Sequence, residues 1–521
     1  METVLVGAPG CGARGVGRAL AERRGARFVD LTGNAAHRMD ALSGLRAADA
    51  ARATGALRTV IAADHVVADP SVRTRLYRGR HVFWLDVPVD HLVERLRVTR
   101  RQDTGIRGDV RAFIVEHLPA YLPYYHAAVR VDASGSINDT IAEIEPRLLE
   151  PLDDGTLVLR AELGGGLVEL GEGILASSLT HVLHHLAADR CILLTSARSR
   201  ARAEDAAELV RSGTGLPVDV EELPDGEPAK LLDEQGRLFR RLAAGRVDRR
   251  TPLVALGDDV LLEAATFAAA VWLRGVPLVA VPVTTLGMID TSIGGKGGID
   301  LPGVGRNLLG AIHQPVATIL DVALVADEGQ VDDRRAALAE AVKYGLIGDD
   351  RLLSLLESGA SEAQDRAWPS GSELLELVER CALDKRRLVM LDERDTTGVR
   401  MALNLGHTLS HALEAATGYR LRHGEAVAYG LRAALDIGTS LGVTPKATAA
   451  RAVRLLDRLA LGTGRLDVPV ADVLEFVEAD KKRRDGRLRW VLVDTDGVAI
   501  RDDVPASMVQ AAAAKALAGR G

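Results

Sequence analysis

Hydrophobic and polar positions along the chain fall into three regimes. Through the first 150 residues, short apolar runs alternate with helical patterns. "TVLV" ends in the glycine-rich turn "GAPGCGARGVG" (7–17), and "VGRALAERRG" reads as a helix closed by Gly25. "RFVDL", "RTVIAA" and "HVFWLDV" read as buried strands, and "HLVERLRVTRR" as a basic amphipathic helix. Apolar strands without polar alternation, separated by helices, predict a parallel sheet with crossovers. "EPRLLEPLDDGT" (145–156), with two prolines and a DDG turn, is the predicted linker. A second block of the same kind begins at "GGGLVELGEGIL" and continues through "CILLTS", "TPLVALG" and "PLVAVPV". From about residue 326 the period turns helical, in "RRAALAEAVKYGLIG", "SELLELVERCALDKRRLVM", "NLGHTLSHALEAATGY" and "GEAVAYGLRAALDIGTSLG". A late hairpin, "GRLRWVLVDTDGVAI", carries a DG turn. The pattern predicts an α/β chain of three domains: parallel α/β at 1–150, a second α/β domain at 151–325, and a mostly α-helical domain at 326–521.

Composition changes this picture little. A chain of 521 residues exceeds one ordinary core, and 47% hydrophobic with 26% charged residues is a globular balance. A net charge of −7 gives no ground for a nucleic-acid partner. The most apolar region, 264–289, is broken by Arg274, so no membrane segment is expected. "METVLVGAPG" lacks the apolar stretch of a signal peptide. Cys11, Cys191 and Cys381 lie far apart and form no CxxC pair, so reduced, buried thiols and a cytoplasmic location are expected.

The first glycine loop sits between a strand and a helix, where phosphate-binding loops belong. Gly7 and Gly12 hold their places in the order GxxxxGK[ST], but Ala13 stands at the lysine and Arg14 at the Ser/Thr position. Both the group for the β/γ-phosphates and the hydroxyl for Mg²⁺ are missing. Residues 1–150 resemble shikimate kinase, a P-loop kinase, in this loop, in "GRALAERRGARFVDL" and in "FWLDVPVDHLVERL". The second acid of that family's DxD is lost in Asp30-Leu31-Thr32. The expectation is a degenerate, kinase-shaped module without phosphoryl transfer.

"NLGHTLSHALEAATGYRLRHGEA" (404–426) holds three of the chain's 13 histidines. His407 and His411 are four apart and share a helix face, which Asn404 joins from three before. His423 lies past Gly418, just before the next helix. Alone, an HxxxH pair is compatible with a solvated face. "LAEAVKYG" sets Glu340 in an apolar helical pattern, and "LPDGEPAK", "IDTSIGGKGG", "RMALNLGHT" and "EADKKRRDG" accompany it.

With these motifs in this order, residues 160–510 resemble 3-dehydroquinate synthase, a sugar phosphate cyclase. The resemblance implies a Rossmann-type NAD-binding domain followed by a helical metal and substrate domain. It implies Glu340, His407 and His423 as ligands of zinc or cobalt, in a set that leaves positions open for catalysis. It gives His411 a substrate contact and proton transfers. The family's substrate, 3-deoxy-D-arabino-heptulosonate 7-phosphate, is a seven-carbon keto acid with a phosphate, and such an anion needs cations. Lys296, Lys385, Arg400 and Lys481 match the family's cationic positions, and Asp290 and Asn404 its hydrogen-bonding ones. Arg274 matches an arginine that reaches the phosphate from the neighbouring subunit of a homodimer. The implied product is 3-dehydroquinate, with phosphate released, in the shikimate pathway to aromatic amino acids.

That family uses NAD, its pyrophosphate lying on a glycine-rich turn. Here the turn reads "GDDVLLEAATF" (257–267). Gly257 remains, Asp258, Asp259 and Leu262 replace glycines, Glu263 replaces an aspartate, and Thr266 replaces the last glycine. Glycine permits close backbone approach to a pyrophosphate. A carboxylate about 5 Å from a phosphate charge repels it by roughly 3 kcal/mol at an effective dielectric near 20. Glu227 and Lys230 keep the family's NAD-contacting identities, and Thr284 is counted with the cofactor positions. The losses therefore gather at the nucleotide. The sequence leaves three outcomes open: a synthase with an altered NAD grip, a metal-bearing binding or scaffold protein without turnover, and a cyclase for another sugar phosphate.

Overall fold

The computed structural model describes residues 3–32, 59–63, 81–98, 109–115, 118, 128–146, 159–163, 166–325, 331–360, 369, 371–396, 398–483, 488–495 and 497–519. The chain divides into two compact units, Met1–Ile174 and Leu175–Gly521. Most of the predicted linker, 147–156, lies outside the described residues.

In the first unit, β1 (Thr3–Val6), β2 (Arg27–Leu31), β3 (Thr59–Ala63), β4 (His81–Asp86) and β5 (Val129–Asp132) form a sheet of order β2-β3-β1-β4-β5. Every pairing in it is parallel. β1 and β3 are buried along their whole lengths, which is why they read as continuous apolar runs. Helix α1 (Ala13–Arg24) follows the glycine loop and is bounded by two left-handed glycines, Gly12 (φ 93°) and Gly25 (φ 58°). The Gly25 N–H donates to the carbonyls of Ala21 and Glu22, satisfying the last turn. Leu5, Val16, Leu20, Phe83 and Leu85 share the core with Leu92 of α2 (Val89–Val98) and Ile141 of α3 (Ile137–Ile144). β6 (Leu159–Leu163) and β7 (Gly166–Gly171) form an antiparallel pair.

In the second unit, α4 (Leu175–His185), α5 (Arg200–Thr214), α6 (Leu232–Ala244) and α7 (Asp259–Val271) alternate with parallel strands. These are β8 (Cys191–Ser196), β9 (Val218–Leu223), β10 (Leu253–Gly257) and β11 (Leu278–Pro282). The antiparallel hairpin of β12 (Lys296–Leu301) and β13 (Gly305–Ile312) precedes β14 (Ala317–Asp321). The parallel order is β14-β11-β10-β8-β9. The direction of winding reverses between β8 and β10, so their carboxyl ends, Ser196 and Gly257, flank the crevice where open sheets of this kind take ligands.

The remainder is helical, as its period predicts. It comprises α8 (Val331–Ile347), α9 (Asp350–Gly359), α10 (Gly371–Leu391), α11 (His407–Ala416), α12 (His423–Ser440), α13 (Lys446–Arg458) and α14 (Val470–Arg483). The predicted hairpin is β15 (Trp490–Asp494) with β16 (Gly497–Arg501), and α15 (Ala506–Ala518) follows. The three cysteines are buried, and burial pushes the Cys191 thiol up to about 12. Among the described residues no helix is long and apolar enough to cross a membrane.

Candidate metal and substrate site

Two close helix approaches build the site. A Cβ on Gly424 would lie 1.9 Å from the Ala336 carbonyl, so only glycine lets the start of α12 meet α8. A Cβ on Gly430 would lie 1.9 Å from the carbonyl of Gly406, the left-handed residue (φ 80°) that opens α11. These contacts bring together Glu340 of α8, His407 of α11 and His423 of α12, with donor atoms all within 4.8 Å of one another. Glu340 is fully buried, and its Oε1 lies 3.3 Å from His407 Nε2 and 3.2 Å from His423 Nε2.

The other ring nitrogens are anchored. His407 Nδ1 faces the Leu405 carbonyl at 3.1 Å, an acceptor only, so Nδ1 carries the proton. His423 Nδ1 faces the Glu414 carboxylate at 3.0 Å. Both Nε2 atoms thereby face Glu340, the placement that supporting groups give to metal-binding imidazoles. Burial pushes Glu340 up, but Lys343 and His407 outweigh it and hold the carboxyl well below its usual range. Burial likewise raises Glu414, and the hydrogen bond and charge of His423 bring it below normal. Burial pulls His423 down, yet Glu340 and Glu414 raise it to about 10. The pocket thus demands positive charge.

A cationic group adjoins the triad. Lys343, one helical turn beyond Glu340 and 1% exposed, contacts the Glu340 carboxylate and lies 3.8 Å from Asp290. The Tyr344 hydroxyl donates to Asp290. Lys385 of α10 reaches both the Asp290 carboxylate and its carbonyl at 2.8 Å. Burial raises Asp290, and Lys385 and Lys343 more than reverse that. Buried Arg400 donates to the carbonyls of Gly294 and Glu393 at 2.9 Å. Burial lowers the Lys385 ammonium and the Arg400 guanidinium. Lys343 and Tyr344 were not singled out from the sequence. The available signal was the spacing of Lys343, three residues after Glu340 in an otherwise apolar stretch, residues 336–347.

Other sequence candidates take varied places. The His411 ring stands edge-on to His407 at 5.4 Å. Asn404 does not share the His407 helix, as the spacing had predicted. It ends a separate 3₁₀ turn, Arg400–Asn404, because left-handed Gly406 interrupts the helix. Lys296 pairs with Asp395 at 2.9 Å. Arg274 stands exposed in a left-handed turn (φ 67°) after α7. Lys481 falls on α14, and its side chain lies outside the described residues.

At the nucleotide end, each acid has a partner. Asp258 caps α7, its carboxylate accepting the Leu261 N–H at 3.1 Å. Asp259 accepts from the Thr284 hydroxyl at 3.1 Å, and burial pushes its carboxyl up to about 7. Lys230, 1% exposed, pairs with Glu263 at 2.5 Å and lies 3.8 Å from Asp300. Glu227 pairs with Arg306, whose guanidinium lies over the Tyr419 ring at 4.5 Å. In the first unit, Arg14 is tied to Asp30 at 2.7 Å and to the Thr32 hydroxyl at 3.1 Å.

Family models match in two adjoining stretches: "3-dehydroquinate synthase N-terminal" over residues 220–332 and "3-dehydroquinate synthase C-terminal" over residues 337–483. A 3-dehydroquinate synthase from Synechococcus sp. is 36% identical over 350 residues, covering 66% of this chain and 92% of that protein. One from Azotobacter vinelandii is 42% identical over 298 residues, covering 56% and 78%. The crystal structure of 2-deoxy-scyllo-inosose synthase complexed with carbaglucose-6-phosphate, NAD+ and Co2+ has the same fold over 68% of this chain and 99% of that one. Its TM-score is 0.62 at 23% identity.

Proposed function

The chain belongs to the 3-dehydroquinate synthase family, and on that premise we propose that it converts 3-deoxy-D-arabino-heptulosonate 7-phosphate to 3-dehydroquinate with release of phosphate. The observation that carries this reading is the convergence of Glu340, His407 and His423 beside Lys343, Lys385 and Asp290. A carboxylate and two imidazoles with anchored Nδ1 atoms suit zinc or cobalt, which supplies Lewis acidity toward a substrate oxygen. Lys343, Lys385 and Arg400 bind the phosphate and carboxylate, in a buried setting where their charge acts strongly. Asp290 orients the two lysines. His411, beside His407, moves a proton at a substrate oxygen. Lys296, Asn404 and Lys481 complete the polar lining, and Arg274 serves the partner's site in a homodimer.

NAD is the second cofactor this reading calls for, and there the residues do not fit. The start of α7 offers a capping carboxylate, Asp258, where a pyrophosphate needs open N–H groups.

We assign residues 1–150 to a degenerate kinase-like domain, 151–325 to the NAD-binding-type domain and 326–521 to the metal and substrate domain. The β2-β3-β1-β4-β5 order and the strand–glycine loop–helix opening support the first of these. The loop's one added cation, Arg14, is spent on Asp30. Transfer to ATP is therefore not part of the proposed activity.

Phosphate release from the heptulosonate phosphate, assayed with zinc-loaded protein and added NAD+, tests the synthase reading. Glu340→Ala is expected to lose both bound metal and turnover. An active, metal-free Glu340→Ala protein sinks the assignment. Release only from another sugar phosphate replaces the substrate. Metal binding without release from any of them leaves a scaffold, the reading that the acidic turn favours.

A further inference from the structure

The winding of the second sheet reverses between β8 and β10, and α7 begins at that crevice. The N–H groups of its first turn and the cations around it are what would hold a dinucleotide's pyrophosphate. One of those N–H groups, and the cations Lys230 and Arg306, are already engaged by the protein's own carboxylates. Asp258 accepts the Leu261 N–H at 3.1 Å, taking the place of an incoming anion. Buried Lys230 is neutralised by Glu263 at 2.5 Å, and Arg306 by Glu227. A pyrophosphate entering here must displace a carboxylate from the helix terminus and compete for two paired cations, under like-charge repulsion throughout.

We propose that this end of the site is self-neutralised, so that a dinucleotide is held weakly and exchanges with solution, and that the Asp258 carboxylate sets that affinity. The proposal rests on the synthase reading only for the demand for a dinucleotide. Its logic is charge competition: what lowers the affinity is the Asp258 carboxylate at the helix terminus, and removing its charge should raise it.

The test is calorimetric titration of NAD+ into the full-length, zinc-loaded protein, as wild type, Asp258→Ser and Asp258→Asn. Serine caps a helix about as well as aspartate but carries no charge, so Asp258→Ser keeps α7 while removing the repulsion. Each variant is expected to bind NAD+ about tenfold or more tightly than wild type. Wild-type affinity equal to or better than that of Asp258→Ser overturns the proposal, and Asp258→Asn decides if Asp258→Ser does not fold. Zinc content and phosphate release are read on the same preparations. A wild type without zinc or release removes the synthase reading, while the NAD+ affinity ratio still decides this one.

Discussion

Lys343 offers the sharpest probe of how the metal end is balanced. It is buried, contacts Glu340 and stands 3.8 Å from Asp290. Burial pulls its ammonium down, but Glu340 and Asp290 more than compensate and raise it. Replacing it in Lys343→Met keeps most of the volume, strips buried Glu340 of its ammonium and leaves Asp290 to Lys385 and Tyr344. At 3.8 Å and an effective dielectric near 20, the lost attraction to Asp290 alone is about 4 kcal/mol. Measured costs of breaking a buried pair fall in a similar range, roughly 3–5 kcal/mol. The variant is therefore expected to lose about 4 kcal/mol in chelator. A divalent ion on Glu340, His407 and His423 supplies the missing positive charge, so in saturating zinc the loss should be no more than about 2 kcal/mol. The thermodynamic cycle then requires zinc to bind the variant tighter, by about 2 kcal/mol or on the order of thirtyfold, even as turnover is lost. Urea unfolding with and without zinc, read at the transition that zinc shifts, and a chelator competition for zinc measure both sides. Equal destabilisation in the two conditions, or weaker zinc binding, refutes the charge balance.

Glu414→Gln keeps an acceptor for His423 Nδ1 but removes its charge; zinc affinity should fall about 10–100-fold, and an unchanged affinity in the same competition assay contradicts the anchoring role. Asp259 titrates near 7 when folded against 3.8 as a free carboxyl, so from pH 3.8 to 7 the folded chain keeps a proton that the unfolded chain has released. Its contribution to stability falls as pH rises through that window, and Asp259→Asn should match wild type below pH 4 yet exceed it by about 4 kcal/mol at pH 8. A stability difference that does not change with pH, in urea unfolding at the two ends of the window, rules this out. The full chain given ATP and shikimate should release no ADP above a no-enzyme control, because Arg14 is bound to Asp30 and Thr32.

Strands buried on both faces were legible because they carry unbroken apolar runs: β1, β3, β10 and β11 lie where "TVLV", "RTVIAA", "TPLVALG" and "PLVAVPV" stand. The metal triad was legible through resemblance, and its convergence depends on glycines whose role the sequence does not announce. Gly424 and Gly430 work by the carbonyls they approach on other helices, a tertiary fact. Edge strand β9 was missed because "VDVEEL" is half acidic and only its ends are buried. The error at Asn404 was local. Periodicity ran through "NLGHTLSHA" without weighing Gly406, whose left-handed conformation starts a new helix at His407. Lys343 escaped because a lysine in a helix reads as solvated until its neighbours are known. The partners of Asp258 and Glu263 were equally out of reach, since repulsion by an acid can be counted from sequence but its pairing cannot.

Both ends of the candidate site pair acids with bases, and what happens to the displaced group differs between the two ends. At the metal end the buried acid is Glu340, and its stand-in partner, the Lys343 ammonium, occupies the role of a cation. A divalent ion entering there adds to what the carboxylate already attracts, and the freed ammonium can turn to an anionic substrate beside Asp290 and Lys385. At the nucleotide end the ligand is itself an anion. Asp258 occupies a donor of the helix terminus rather than attracting the ligand, so its bond must be broken without a new one being offered to the displaced acid. Internal pairing thus weakens the ligand's hold at both ends, but the ammonium displaced at the metal end has an anionic substrate to turn to, whereas the acid displaced at the nucleotide end has no new partner. This is why the substitutions confined to 257–267 weigh on the cofactor while leaving the metal triad and its cations intact.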